Sequence, residues 1–297
     1  MFTTILVPLD GSSLAERAVP YAEKLARATG ATLTLVRAET SGITGSRVIV
    51  LRQAMAYLEQ VAAGLRAGGL TVRAGGLTVR TSAPYGPPAA SVVAEARRIE
   101  ADLIVLATHG RSGMSHVAYG SVAEEIIARA PAPVLLVGAR DDDATAPLTS
   151  GAPVLVPLDG TAFAERGLPA ARELAGLLHG GVVLVQALGE AERMSEDEVA
   201  TLDYLREIAR LELPGVEVTC VARMGKTAEV IAEVCGDYGA ALVVMATHRR
   251  FGLARYFFGN TANDAIHDAG VPFLLLAPPP VEEDLSEAGA LVGLVLG

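Results

Sequence analysis

Short apolar runs alternate with longer stretches of helical periodicity along the whole chain. Ile5-Leu6-Val7-Pro8-Leu9, Leu33-Thr34-Leu35-Val36, Leu103-Ile104-Val105-Leu106 and Val134-Leu135-Leu136-Val137 have strand length and are apolar nearly throughout. Between the first two, Leu14, Ala18, Tyr21, Ala22 and Leu25 recur at helical spacing. Ser13-x-x-Glu16 reads as a capping box at the start of that helix, and Gly30 closes it. A helix is predicted over 46–66, carrying Leu51, Met55, Leu58, Val61 and Leu65. A strand at 77–81, a helix at 88–100 and a glycine-rich stretch entering a helix at Ser121 complete the pattern. Strands without a polar face, alternating with helices, predict a parallel sheet covered on both sides. The expected fold class is therefore α/β, doubly wound, with five parallel strands. Such sheets bind ligands at the carboxyl ends of the strands, where strand order reverses.

The pattern occurs twice. Leu6-Val7-Pro8-Leu9-Asp10-Gly11 returns as Leu155-Val156-Pro157-Leu158-Asp159-Gly160, and Ala15-Glu16-Arg17 as Ala164-Glu165-Arg166. Ala107-Thr108-His109 returns as Ala246-Thr247-His248; Gly86, Gly120 and Pro133 answer Gly225, Gly259 and Pro272. The first offset is 149 and the second 139, so the first copy is ten residues longer. Seven of those ten come from an immediate duplication, Arg66–Val72 repeated as Arg73–Val79. Loop-closure cost grows slowly with length, so the insertion reads as a tolerated helix-to-strand loop. Gly76 keeps the downstream offset, which points to the second Leu-Thr-Val as the strand. The organisation expected is two tandem domains, 1–140 and 152–278, joined by a polar linker and followed by a tail at 279–297.

Composition narrows the function. The 297 residues carry a net charge of −10, and Lys24 and Lys226 are the only lysines. A nucleic-acid binder would need a basic stripe, and an anionic membrane surface a basic patch. Neither partner is expected. No apolar run reaches the ~18 residues of a membrane span. The N-terminus lacks the basic flank of a secretory signal, so a cytoplasmic location is expected. Cys220 and Cys235 make neither a disulfide framework nor a zinc site and read as spectators.

The residues able to bear chemistry cluster after strands one and four. Gly110 through Gly120-Ser121 forms a glycine-rich loop ending at a helix N-terminus. The free N–H groups there and the positive end of the dipole make an anion site. On spacing alone, a phosphate cradle and a plain glycine loop capped by Ser121 fit equally. Asp10 would stand at the end of the neighbouring strand. A carboxylate is repelled by phosphate, so its partner there is a sugar hydroxyl; the competing reading is a simple Asp-Gly turn. Both features converging on one crevice favours a nucleotide.

Pro8-Leu9-Asp10-Gly11-Ser12, Thr108-His109-Gly110-Arg111-Ser112-Gly113, Gly120-Ser121-Val122-Ala123-Glu124 and Ala132–Val137 together resemble the universal stress protein family. The resemblance covers both copies. It implies two Rossmann-like domains of the adenine nucleotide alpha hydrolase type in tandem. The nucleotide-binding members carry G-x2-G-x9-G-[ST]; here Gly110, nine residues and Gly120-Ser121 fit, while Ala107 replaces the first Gly. The resemblance implies ATP binding, with Mg2+ as its accompanying ion. Asp10 would meet the ribose, the backbone of Ala38 the adenine, and Gly110, Gly120, Ser121 and Val122 the ribose and phosphates. It also implies pairing of domains through the last strand, hence an internal pseudo-dimer and a homodimer of chains.

The second copy departs from the pattern. Arg249 stands at the second Gly position and Asn260 replaces the serine, leaving Asp159, Gly259 and Asn260 as a remnant site. An impaired second site is expected, although Arg249 and Arg250 could instead grip phosphate. Met224-Gly225-Lys226-Thr227 imitates a P-loop, but Cys220 stands where its first Gly belongs, so a helix-initiating turn is the better reading. No catalytic triad or metal-ligand spacing is assigned. The expected function is an ATP-binding stress-response regulator. The alternatives are an interaction module that binds no nucleotide, or a weak ATP hydrolase or phosphotransferase.

Overall fold

The computed structural model describes residues 2–40, 46–67, 76–108, 120–138, 148–189, 196–247, 265–266 and 269–276. Gly110, Arg249, Arg250, Gly259, Asn260, most of the linker and the 279–297 tail lie outside the described residues.

The first copy folds as β1 (Thr4–Pro8), α1 (Ser13–Glu16), α2 (Val19–Thr29), β2 (Thr32–Val36), α3 (Arg47–Ala67), β3 (Val79–Ser82), α4 (Pro88–Arg98), β4 (Leu103–Thr108), α5 (Ser121–Arg129) and β5 (Val134–Gly138). The second follows as β6 (Val154–Pro157), α6 (Ala162–Glu165), α7 (Leu168–Leu178), β7 (Val182–Leu188), α8 (Glu196–Glu212), β8 (Val218–Met224), α9 (Thr227–Tyr238), β9 (Leu242–Ala246) and β10 (Phe273–Leu276). The strands form one sheet in the order β3-β2-β1-β4-β5-β10-β9-β6-β7-β8. Each copy contributes five parallel strands, and the one antiparallel pairing among the described residues, β5 with β10, joins the copies.

Alternate strand residues feed opposite faces. Ile5, Val7, Leu33 and Leu35 pack with Leu25 of α2 and Leu58 of α3. Leu6, Val36, Ile104 and Leu106 pack with Val92 of α4 and Ile126 of α5. Strand order reverses between β1 and β4, with α2 and α3 on one face of the sheet and α4 and α5 on the other, the arrangement in which such sheets offer a crevice beyond their carboxyl ends.

Several local expectations need correction. The capping residue is Ser12, not Ser13: its side chain accepts from the Ala15 amide. Glu16 does not complete a capping box but accepts from the Tyr57 hydroxyl at 2.8 Å. The helix is also broken into α1 and α2, because Pro20 in the first turn of α2 has no N–H to bond back to Glu16. Pro169 splits α6 from α7 in the same way. On α3 the fully buried stripe is Ala54, Leu58, Ala62 and Leu65, while Met55 and Val61 are half-buried. Small alanines let the helix approach the sheet where larger neighbours would hold it off. The strand predicted at 77–81 runs over Val79–Ser82, inside the second copy of the heptapeptide and just beyond it.

Candidate functional site

The carboxyl end of β1 leads through Leu9 into a tight turn at Asp10-Gly11-Ser12. The Ser12 amide donates to Asp10 Oδ1 at 2.8 Å, and Gly11 turns the chain with φ +91°. Burial pushes the Asp10 carboxyl up, but hydrogen bonds from Ser12 and the charge of Arg37 outweigh it and hold the group below its ordinary value. Asp10 is exposed, with its carboxylate free to accept further hydrogen bonds.

Ala38 lies two residues beyond β2, where the ladder continues irregularly: the Arg37 amide donates to Ser82 and the Glu39 amide to Pro84. Arg37 pairs with Glu39 at 2.7 Å, and its guanidinium carbon sits 5.2 Å from the centre of the Tyr57 ring. Arg47 covers the Tyr85 ring at 4.3 Å. Burial and the Glu16 hydrogen bond both push the Tyr57 hydroxyl up, so it donates and stays neutral.

On the far side of the crevice, β4 ends at buried Thr108, whose hydroxyl donates to the Val137 carbonyl at 3.4 Å. Helix α5 then begins behind Gly120, an N-cap in extended geometry with no side-chain cap. Ser121 is therefore the first residue of the helix rather than its cap. Helices α4 and α9 likewise have no side-chain cap, whereas α1 and α6 are capped by Ser12 and Thr161. The first-turn N–H groups of α5 lack such a side chain, and Ser121 and Val122 are exposed beside them. This donor set suits an anion, and the Asp10 acceptor suits a hydroxyl. The residues present thus fit a nucleotide. Among the described residues no group of three His, Cys, Asp or Glu could hold a metal ion.

The second copy repeats the frame. Thir equivalence is visible at Asp159, whose Oδ1 accepts from the Thr161 amide at 3.0 Å and from its hydroxyl at 2.5 Å. Tyr204 donates to Glu165 at 2.9 Å, as Tyr57 does to Glu16. Gln186 stands where the first copy has Arg37, since Leu158 bonds Val185 as Leu9 bonds Val36. Gly225 opens α9 with φ +138° as Gly86 opens α4 with φ +152°, so the Met224–Thr227 segment is a helix-initiating turn. The described structure brings Asp10, Ala38, Gly120, Ser121 and Val122 to the strand ends of one copy. Arg37, Tyr57 and Glu16 were not among the residues expected at the site. The recurrence of Glu16 as Glu165 was the available signal; Tyr57 and Tyr204 are offset by 147 and escape a fixed-offset comparison.

Two doubly wound units, each with a crevice at its strand-order reversal and joined through their fifth strands, define a tandem α/β protein. The chain belongs to the universal stress protein family: that family's model matches residues 1–138 and again 152–277. A universal stress protein of Mycobacterium tuberculosis is 29% identical over 189 residues, covering 59% of this chain and 62% of that one. One from Thermus aquaticus is 34% identical over 137 residues, covering 46% of this chain and 99% of its own length. The crystal structure of a universal stress protein from Archaeoglobus fulgidus shares the fold, with a TM-score of 0.73 at 19% identity over 93% of this chain and 96% of that one.

Proposed function

We propose that the chain is an ATP-binding regulatory protein of the stress response, holding nucleotide mainly in its first domain. One observation carries this reading. The β1 and β4 strands are adjacent and parallel, and beyond their carboxyl ends lie a hydroxyl-seeking carboxylate, Asp10, and the α5 N-terminus with no side-chain cap. In this reading the ribose hydroxyls meet Asp10, adenine lies along the backbone at Ala38, and the phosphates face Gly120, Ser121 and Val122. Gly110 completes the cradle from outside the described residues. Mg2+, where it accompanies ATP, is held by the phosphates. The domains run over 1–140 and 152–278 with a tail at 279–297, and the second crevice keeps Asp159, Gly259 and Asn260 as an impaired site. The reading includes a cytoplasmic location and a homodimer. No helix among the described residues is long and apolar enough to cross a membrane.

The test is to denature the purified protein, chromatograph what it releases, and titrate the emptied protein with ATP. Released adenine nucleotide or a rise in melting temperature with millimolar ATP supports the reading. A protein that comes away empty and melts unchanged defeats it. Gly120→Val is the specific variant: Gly120 has φ −66°, which any residue adopts, so the change crowds the phosphate space without straining the backbone. Loss of ATP binding with an unchanged melt is expected.

A further inference from the structure

The Asp10 turn is not held by its own hydrogen bonds alone. The guanidinium of Arg37 lies against it so closely that a Cβ on Gly11 would stand 2.8 Å from Arg37 Nη1. The guanidinium is itself fixed, by Glu39 at 2.7 Å and by the Tyr57 ring, whose hydroxyl is committed to Glu16. Asp10, Glu16 and Glu39 surround this point, and Arg37 is the cation whose charge acts on Asp10.

The second copy shows what the frame does without it. Asp159, Thr161, Tyr204 and Glu165 recur, but Gln186 replaces Arg37. A Cβ on Gly160 would meet nothing within 4 Å, and Gln186 Oε1 is buried with no hydrogen-bond partner. The side chain that braces the turn in one copy has become one that braces nothing in the other.

We propose that Arg37 is the positioning residue of the first crevice, clamping the Asp10-Gly11-Ser12 turn so that the Asp10 carboxylate faces a ribose. The inference rests on the nucleotide reading above. Arg37 does not touch the ligand; it acts through Asp10. It also gives the copies a structural difference inside the described residues, separate from the substitutions in the glycine loop.

The test compares ATP with 2′,3′-dideoxy-ATP by calorimetry on the full chain, in wild type, Arg37→Gln and Arg37→Lys. Gln already occupies this position in the second copy, and a thermal melt checks that the variant is folded. Wild type is expected to prefer ATP by at least about tenfold, the worth of one hydrogen bond to a charged group. Arg37→Gln should bring the ratio to about one, and Arg37→Lys should fall between. If Arg37→Gln weakens both nucleotides equally, Arg37 is acting as a plain charge and the inference is overturned; an unchanged ratio overturns it too. Wild type that binds neither nucleotide removes the nucleotide reading and this inference with it. A ligand-free readout separates the two: the Asp10 carboxyl, followed by carbon NMR, should titrate at higher pH in Arg37→Gln. An unmoved midpoint would refute the clamp whatever the protein binds.

Discussion

Leu135 on β5 stands directly opposite Leu274 on β10, and the two are the same position of the repeat, 139 residues apart. A position paired with its own equivalent lies on a two-fold axis, so the junction of the two copies is an isologous interface within one chain. Both side chains are buried to within 1% and join Leu25, Leu174, Leu103 and Leu242 around the same gap. With Leu135 and Leu274 these make three matched pairs of repeat equivalents, and Phe2 and Leu148 complete the lining.

Leu135→Ala and Leu274→Ala should each cost about 2–5 kcal/mol, as for other fully buried leucines. Because the two side chains share one site, their effects should not add: the double variant should differ from the sum by at least ~0.5 kcal/mol. Urea titration of the four proteins gives the cycle. Strict additivity would mean the axis is not a single packing unit.

The duplicated heptapeptide should be dispensable for the fold. Arg66 near the end of α3 donates to the Val79 carbonyl at the start of β3 at 2.8 Å, so one side chain ties the ends of the inserted loop. Eleven residues separate Ala67 from Val79, against five between Glu212 and Val218 in the second copy. Deleting 66–72 leaves Arg73 in the place of Arg66 and a loop close to the second copy's length. The melting temperature should shift by only a few degrees, corresponding to ~1 kcal/mol or less. A collapse in solubility or melting temperature would show that the insert packs on the domain.

Strand and helix order could be read from the sequence because apolar runs of strand length and 3.6-residue periodicity are local signals, and the repeat let each copy check the other. The β5–β10 junction could be anticipated only through the family resemblance, since antiparallel pairing of two equivalent strands leaves no pattern within either one. Asp10 and Gly120 were legible because a turn and a helix N-terminus have residue signatures. Arg37 was not: its contact with Gly11 depends on the register that sets Pro8 beside Val36, and on Tyr57 arriving from α3. Ser12 was missed as a cap in favour of Ser13 because adjacent serines offer the same side chain, and only the backbone angle at Ser12 distinguishes them.

Glu95 gives the chain an acid-sensitive contact. It is 6% exposed and grips Arg98 through two hydrogen bonds of 2.6 and 2.8 Å. Those bonds, against the opposing effect of burial, hold its carboxyl below the ordinary glutamate value. A depressed folded-state value adds stability that is complete above the unfolded-state value and is lost as pH falls through the folded one. Glu95→Gln should therefore cost roughly 1 kcal/mol at neutral pH, discounted because Arg98 is exposed. The difference from wild type should close as the pH drops below the folded-state value. A gap that stays constant with pH would assign the loss to packing.

Cys235 should resist thiol reagents while the fold lasts. It is 3% exposed on α9, and burial pushes its thiol up to about 12. Cys220, half-buried on the edge strand β8, is raised less by the same cause and is reachable from solvent. With the thiolate as the reactive form, an aromatic disulfide reagent at neutral pH should titrate one thiol slowly and the second only on unfolding. Two thiols reacting at one rate in the native protein would contradict this.

Gly11 and Gly160 form a matched pair in which backbone strain and side-chain crowding separate. Both have positive φ, +91° and +79°, so an alanine at either is strained. Gly160→Ala meets no neighbour and should cost only that strain, about 1–2 kcal/mol. Gly11→Ala should cost more, because its Cβ would displace the Arg37 guanidinium from Glu39 and Tyr57. Arg37 is the far end of a flexible side chain, so the fold should survive with the clamp released. Adding Arg37→Ala to Gly11→Ala should then cost little further, while the same change in wild type costs the full contact. Denaturant titrations of the two glycine variants and of the Gly11–Arg37 cycle measure this directly. If Gly11→Ala and Gly160→Ala prove equally costly, the guanidinium does not brace the turn in solution.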